Sequence, residues 1–154
     1  MTFEPMDQID QRLVDACEQC GAVLELRAVA QQQWVAAMDD GSAIEFAWDA
    51  DRQRLVLSVE IGRPPAAPAA RLQILEALLS SNLLPDETGG VHAALGGHDG
   101  QVWLLADCTP AGDAMDWARV LSSLHEQATQ WRRAIGTPAT PEVTAAMPTP
   151  GMMA

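Results

Sequence analysis

Two cysteines three residues apart, Cys17 and Cys20 in "DACEQCG", are the first side chains whose types and spacing offer chemistry. A C-x-x-C supplies half a zinc site, a redox pair, or two small apolar side chains on one helix. Zinc needs more ligands than these. A thioredoxin-type pair gains reactivity at a helix N-terminus, whose dipole stabilises the thiolate. Cys17 and Cys20 fall in the last turn of an expected helix, where the dipole opposes it, so their position favours packing. The three histidines, His92, His98 and His125, fall in an expected strand, a tight turn and a helix. In "GHDG", His98 stands beside Asp99, yet Asp and Gly are the residues a hairpin turn requires for positive φ. The carboxylate pairs Asp39–Asp40 and Asp86–Glu87 read as solvated loop charges, without a helix or apolar pocket to raise one pKa for acid chemistry. There is no G-x-S-x-G, H-E-x-x-H or P-loop, and "TGG" at 88–90 precedes a strand, so it cannot cradle a phosphate at a helix N-terminus. The residues point to a non-enzyme with no cofactor and no metal.

Composition narrows the partner instead. The 154 residues suit one domain with a real core. Twenty-one acidic residues face nine basic ones, all arginine, for a net charge of -12. That charge repels phosphate backbones and anionic lipid heads, so nucleic acid and membrane are poor partners and a basic or polar polypeptide is a good one. No apolar run approaches the ~20 residues that span a bilayer, and "MTFEPMDQID" has neither a basic n-region nor an apolar h-region, so the expected location is the cytoplasm. Three cysteines, an odd number, fit reduced thiols there.

The elements that carry these side chains follow from periodicity. Met6, Ile9, Leu13, Cys17 and Cys20 recur at helical steps, giving a helix over 6–20 that Gly21 can end. The period then becomes two: Leu24, Leu26 and Ala28 share one face of a half-buried strand and Glu25 and Arg27 the other. "QWVAAM", the turn "DDGS", "AIEFAW", the turn "DADRQ" and "LVLSVEI" complete four consecutive strands, an antiparallel meander. "GRPPAAP" breaks the chain and Pro68 opens a second helix with Leu72, Leu75, Leu78 or Leu79 and Asn82 along one side. Ile74, Leu83 and Leu84 widen that stripe beyond one core face, so this helix should be covered both by the sheet and by another subunit. "GVHAAL", "GGHDG" and "QVWLLADC" form a second hairpin, and Pro110 and Asp113 introduce a last helix striped by Trp117, Val120, Leu121, Leu124, Ala128, Trp131 and Ile135, with Gly136 as its stop. Residues 1–136 thus form the domain, and 137–154, rich in Pro, Thr and Ala, read as a disordered tail. Core filling accounts for most of the five tryptophans, with one or two left to anchor a partner.

The run from "MDDGSAIEFAWDADRQRLVLSVEIGRPP" through "LQILEALLSSNLLPDETGGVHAALGGHDGQVWLLADC" to "DWARVLSSLHEQATQWRRAI" resembles the class I type III secretion chaperones, the Tir chaperone (CesT-like) family. The likeness covers about residues 6–135, and its most specific part is the linked order of a leucine-rich helix ending in "SSNLL", an acidic loop, "TGG", two strands about a Gly/Asp turn, and a helix closing in "WRR". The resemblance implies an α+β fold, a twisted antiparallel sheet of five to six strands flanked by three helices in α-β-β-β-α-β-β-α order. It implies a bacterial, cytoplasmic homodimer that holds the N-terminal segment of a secreted effector extended, soluble and secretion-competent, and that catalyses nothing. The secretion ATPase is a further candidate partner. Position within the family pattern assigns effector binding to Leu13, Trp34, Val35, Met38, Phe46 and Trp48, and the dimer contact to Leu72, Leu75, Leu79 and Trp103. The alternative is a protein of the same fold, a regulator or immunity-type protein, that binds a folded partner.

Overall fold

Helical spacing at the start of the chain produces α1 (Met6–Cys20), which buries Ile9, Leu13, Ala16 and Cys17 along one stripe. Gly21 ends it at φ +77°, a left-handed conformation that a side chain would strain. The chain then turns to a period of two and lays down β1 (Val23–Ala30), β2 (Gln33–Met38), β3 (Ala43–Asp49) and β4 (Arg54–Gly62). Each is antiparallel to the one before, which is the meander read from the residues, with one strand more than the family pattern places before the second helix. Pro68 opens α2 (Pro68–Ser81), whose first turn spares the N–H that proline lacks. The hairpin β5 (His92–Gly96) and β6 (Gln101–Cys108) follows, then α3 (Ala114–Gly136). Asp113 and Asp116 cap α3 reciprocally: the Asp116 N–H donates to Asp113 Oδ1 at 2.9 Å and the Asp113 N–H to Asp116 Oδ2 at 3.0 Å.

The computed structural model describes residues 6–84, 89–97 and 100–136. The expected tail, the carboxylates Asp86 and Glu87, and the His98–Asp99 turn lie outside them. The six strands form one sheet in the order β1-β2-β3-β4-β6-β5, so α2 carries the chain from β4 past the place β6 will fill to the far edge. Three helices and a six-stranded antiparallel sheet agree with the expected α+β class.

One face of the sheet makes the core. Ala36 and Met38 of β2, Ile44 and Phe46 of β3, Leu55, Leu57 and Val59 of β4, and Val102, Leu104 and Ala106 of β6 are all buried, alternating along each strand as the pleat requires. Leu121, Leu124 and Ala128 of α3 and the α1 stripe close over them. The two helices are tied together where the Arg12 guanidinium lies 5.1 Å above the Trp117 ring and donates to the Pro110 carbonyl at 2.8 Å. Among the described residues, every buried position is apolar. Val35, Val56, Trp103 and Leu105 alternate onto the opposite face, where they are only half-buried.

Candidate binding surfaces

The cysteines sit where the dipole argument put them, in the last turn of α1. Burial, with the Cys20 thiol close by, pushes the Cys17 thiol up to about 12. Burial beside Asp107 does the same to Cys108 on β6. Both are thiols held away from the thiolate a nucleophile or metal ligand needs. Cys20 accepts a hydrogen bond from the Ser122 hydroxyl at 3.4 Å, a contact between α1 and α3.

One group of chemistry-bearing side chains was not legible in the sequence. Asp39 and Asp40, read as loop charges without a helix nearby, meet α3: His125 Nε2 stands 3.7 Å from Asp39 Oδ1 and 3.9 Å from Asp40 Oδ2, and Arg132 Nη1 stands 3.8 Å from the same Asp40 oxygen. Desolvation raises the Asp40 carboxyl, yet the Ser42 hydroxyl and N–H, with His125 and Arg132 behind them, outweigh it and hold the carboxyl below its ordinary value. Arg132 also donates to the Glu60 carbonyl at 2.8 Å. Its guanidinium occupies the acidic side of the cluster, so the arrangement works as an electrostatic tie between the β2–β3 turn and α3. The contact joins positions far apart in the chain, which no local pattern signals.

Two apolar surfaces stay open. At the β5 end, α2 buries one residue, Leu78, and leaves Leu72 59% and Leu79 66% exposed, with Leu75 half-buried. A cleft of about 220 Å³ lies beneath, lined by Leu75, Leu78, Leu79, Ala93, Leu95 and Val102. Asn82 pins the helix end to β5 as a strand would, accepting from the Ala93 N–H at 2.7 Å and donating to its carbonyl at 3.1 Å. Among the described residues, none covers the other side of α2. Trp103 lies one strand in from the edge and on the opposite face of the sheet, opposite Ala94, so it does not share a face with the three leucines.

At the β1 end, Leu24 is 72% exposed and Val29 half-exposed on an edge strand. The expectation that Leu24 shares the inward face with Leu26 is corrected by a bulge between Val23 and Glu25, which breaks the alternation. β1 is more exposed than the half-buried strand its pattern indicated. A groove of about 260 Å³ runs between α1 and β1, lined by Val14, Cys17, Val23 and Leu26 with Leu24, Glu18 and Glu25. Of the six residues assigned to effector binding, Leu13, Trp34, Met38, Phe46 and Trp48 are buried in the core beneath the helices. Trp34 is further fixed by donating its Nε1–H to Asp10 Oδ1 at 2.8 Å. Val35 points the other way, between Arg27 and Glu45 on the open face. Three tryptophans, Trp34, Trp48 and Trp117, fill the core, and Trp103 and Trp131 keep some exposure.

An α+β protomer with an uncovered leucine-bearing helix at one edge of its sheet and an open apolar groove at the other belongs among the binding proteins built to cover another chain. The Tir chaperone protein (CesT) family model matches residues 25–132, and the chain belongs to that family. Solved structures repeat the fold. A chain of the ExsC–ExsE complex aligns with a TM-score of 0.65 at 18% identity, covering 84% of this chain and 94% of that one. A chain of the HopA1–SchA chaperone–effector complex aligns at 0.63 and 18% identity, covering 84% and 98%. A chain of the heterodimeric ExoU–SpcU complex from the type III secretion system of Pseudomonas aeruginosa aligns at 0.62 and 20% identity, covering 84% and 99%. A search of curated protein sequences gave no significant match. No helix among the described residues is long and apolar enough to cross a membrane.

Proposed function

We propose that the protein is a type III secretion chaperone, a cytoplasmic homodimer that binds the N-terminal segment of a secreted effector in extended form and keeps it soluble and ready for export. The observation that carries this reading is the pair of separate apolar surfaces. The α2 surface, with Leu72, Leu75 and Leu79, suits a second copy, because a two-fold interface pairs one apolar patch with the same patch on its partner. Trp103 joins that contact if the partner wraps around the β5 edge onto the open face. The β1 surface suits the client. Its outer edge is unpaired in the sheet order, so an extended segment can add a strand there and set side chains against Leu24 and Val29. In this reading Val35 meets the client directly on the open face, and Leu13, Trp34, Met38, Phe46 and Trp48 form the floor that holds the groove in shape. Membership of a chaperone family and a fold shared with chains of effector complexes support the assignment.

Purification from the native host, with mass spectrometry of the bound chain and limited proteolysis of the complex, tests it. The expected result is a client segment of tens of residues that is cleaved when free and protected when bound. A partner already protease-resistant before mixing would replace this reading with that of a regulator bound to a folded protein.

A further inference from the structure

The α1–β1 groove is apolar at its floor and acidic at its rim. Glu18 projects from the last turn of α1 and Glu25 from β1 just past its bulge, both exposed. Neither carboxylate has an ion-pair partner among the described residues. The last turn of α1 contains no basic residue, and its carbonyl end adds partial negative charge at the same place. Arg12 is turned onto Trp117 and the Pro110 carbonyl, and Arg27 lies further along β1, exposed and opposite Val35. A chain that laid an apolar side chain between Val14 and Leu26 would therefore bring its neighbouring residues against two unanswered carboxylates. An acidic neighbour would be repelled, and an arginine or lysine would be held.

We infer that this groove selects client segments in which an apolar anchor is flanked, within two residues, by arginine or lysine, with Glu18 and Glu25 as the residues that set the preference. The inference rests on the reading that the α1–β1 groove receives an extended segment. It adds the chemistry of the segment received. In an extended chain, residues i and i+2 lie ~7 Å apart on one face, which lets one side chain enter the groove while the next on that face reaches the rim.

Fluorescence anisotropy of the full chain with labelled peptides of about a dozen residues tests it, each peptide a Ser/Thr host with a central Arg-Ser-Leu-Ser-Arg, Gln-Ser-Leu-Ser-Gln or Glu-Ser-Leu-Ser-Glu. The expected order is Arg, then Gln, then Glu, with about a three- to tenfold step from Gln to Arg, the scale of two exposed ion pairs. The step should shrink when salt is raised to about 0.5 M. Glu18→Gln/Glu25→Gln should bring the Arg peptide to the Gln peptide's affinity. Asp51→Asn/Glu126→Gln, which removes the same charge from exposed sites elsewhere, should keep the step. Equal binding of the Arg and Gln peptides, or equal loss in both double variants, overturns the inference and leaves the groove reading standing. If replacing the central leucine by asparagine does not weaken binding, or if no peptide binds, the groove reading itself fails.

Discussion

Leu79→Ser should weaken the proposed dimer, and the exposure of that side chain sets the size of the effect. Leu79 stands 66% exposed on α2, where it lines the cleft against β5. Complete burial of a leucine side chain contributes ~2 kcal/mol, so covering the remaining two-thirds contributes ~1.3 kcal/mol. A two-fold interface presents that side chain twice, and losing both copies costs ~2.6 kcal/mol, a roughly 80-fold rise in the dimer dissociation constant. Sedimentation equilibrium over a broad concentration range measures the constant, and circular dichroism checks that the protomer stays folded. Leu24→Ser is the matched control. It removes an equally exposed leucine, at 72%, from the opposite edge of the sheet and should leave the constant unchanged. A Leu79→Ser dimer within about threefold of the wild type would refute the assignment of α2 to the contact. So would a wild-type chain that sediments as a single 16.5 kDa species at micromolar concentration.

Three further outcomes follow from the core, the thiols and the α3 cap. Phe46→Ala empties a ring site that is 2% exposed at the centre of β3 and should lower the unfolding free energy by about 3–5 kcal/mol in urea titration; a loss under about 1 kcal/mol would place the ring outside the packed core. Ellman's reagent at pH 8 should modify Cys20 quickly in the native protein and spare Cys17 and Cys108, whose thiols sit near 12 because they are buried; all three should react on denaturation, and fast native labelling of more than one would contradict the burial. The Asp113 carboxyl lies below its ordinary 3.8, chiefly because it accepts from the Asp116 N–H, so its support of α3 is full above that value and is lost as pH falls through the lower folded value. Asp113→Asn caps the helix without ionising. It should flatten part of the acid limb of a helicity titration, and an acid transition identical to the wild type would remove Asp113 from the account.

The elements were legible because each is announced locally. Gly21, Pro68 and Asp113 mark helix ends by what glycine, proline and a capping carboxylate permit. "DDGS" turns the chain at Gly41, which adopts φ +87°. What escaped was whatever depends on contacts between distant positions. Asp40 meets His125 and Arg132 only because the sheet brings the β2–β3 turn under α3. Leu24 departs from its strand pattern because an edge strand tolerates a bulge that a central strand would resist.

The binding residues were harder than the fold for a related reason. In a strand, the apolar residues that fill a core and those that greet a partner obey the same period of two, so Trp34, Phe46 and Trp48 advertise themselves equally well for either role. Only the position of the helices breaks that tie, and here α1 and α3 cover those three rings. α2 is different because its apolar residues do not fit on one face. A helix packed against one sheet edge can bury one stripe, and this one carries Leu72 and Leu79 beyond it, with Leu83 exposed just past its end. Such an excess is legible in the residues alone. It is also why the surplus leucines of α2, more than any residue of the first strands, carry the proposal that two copies of this chain meet.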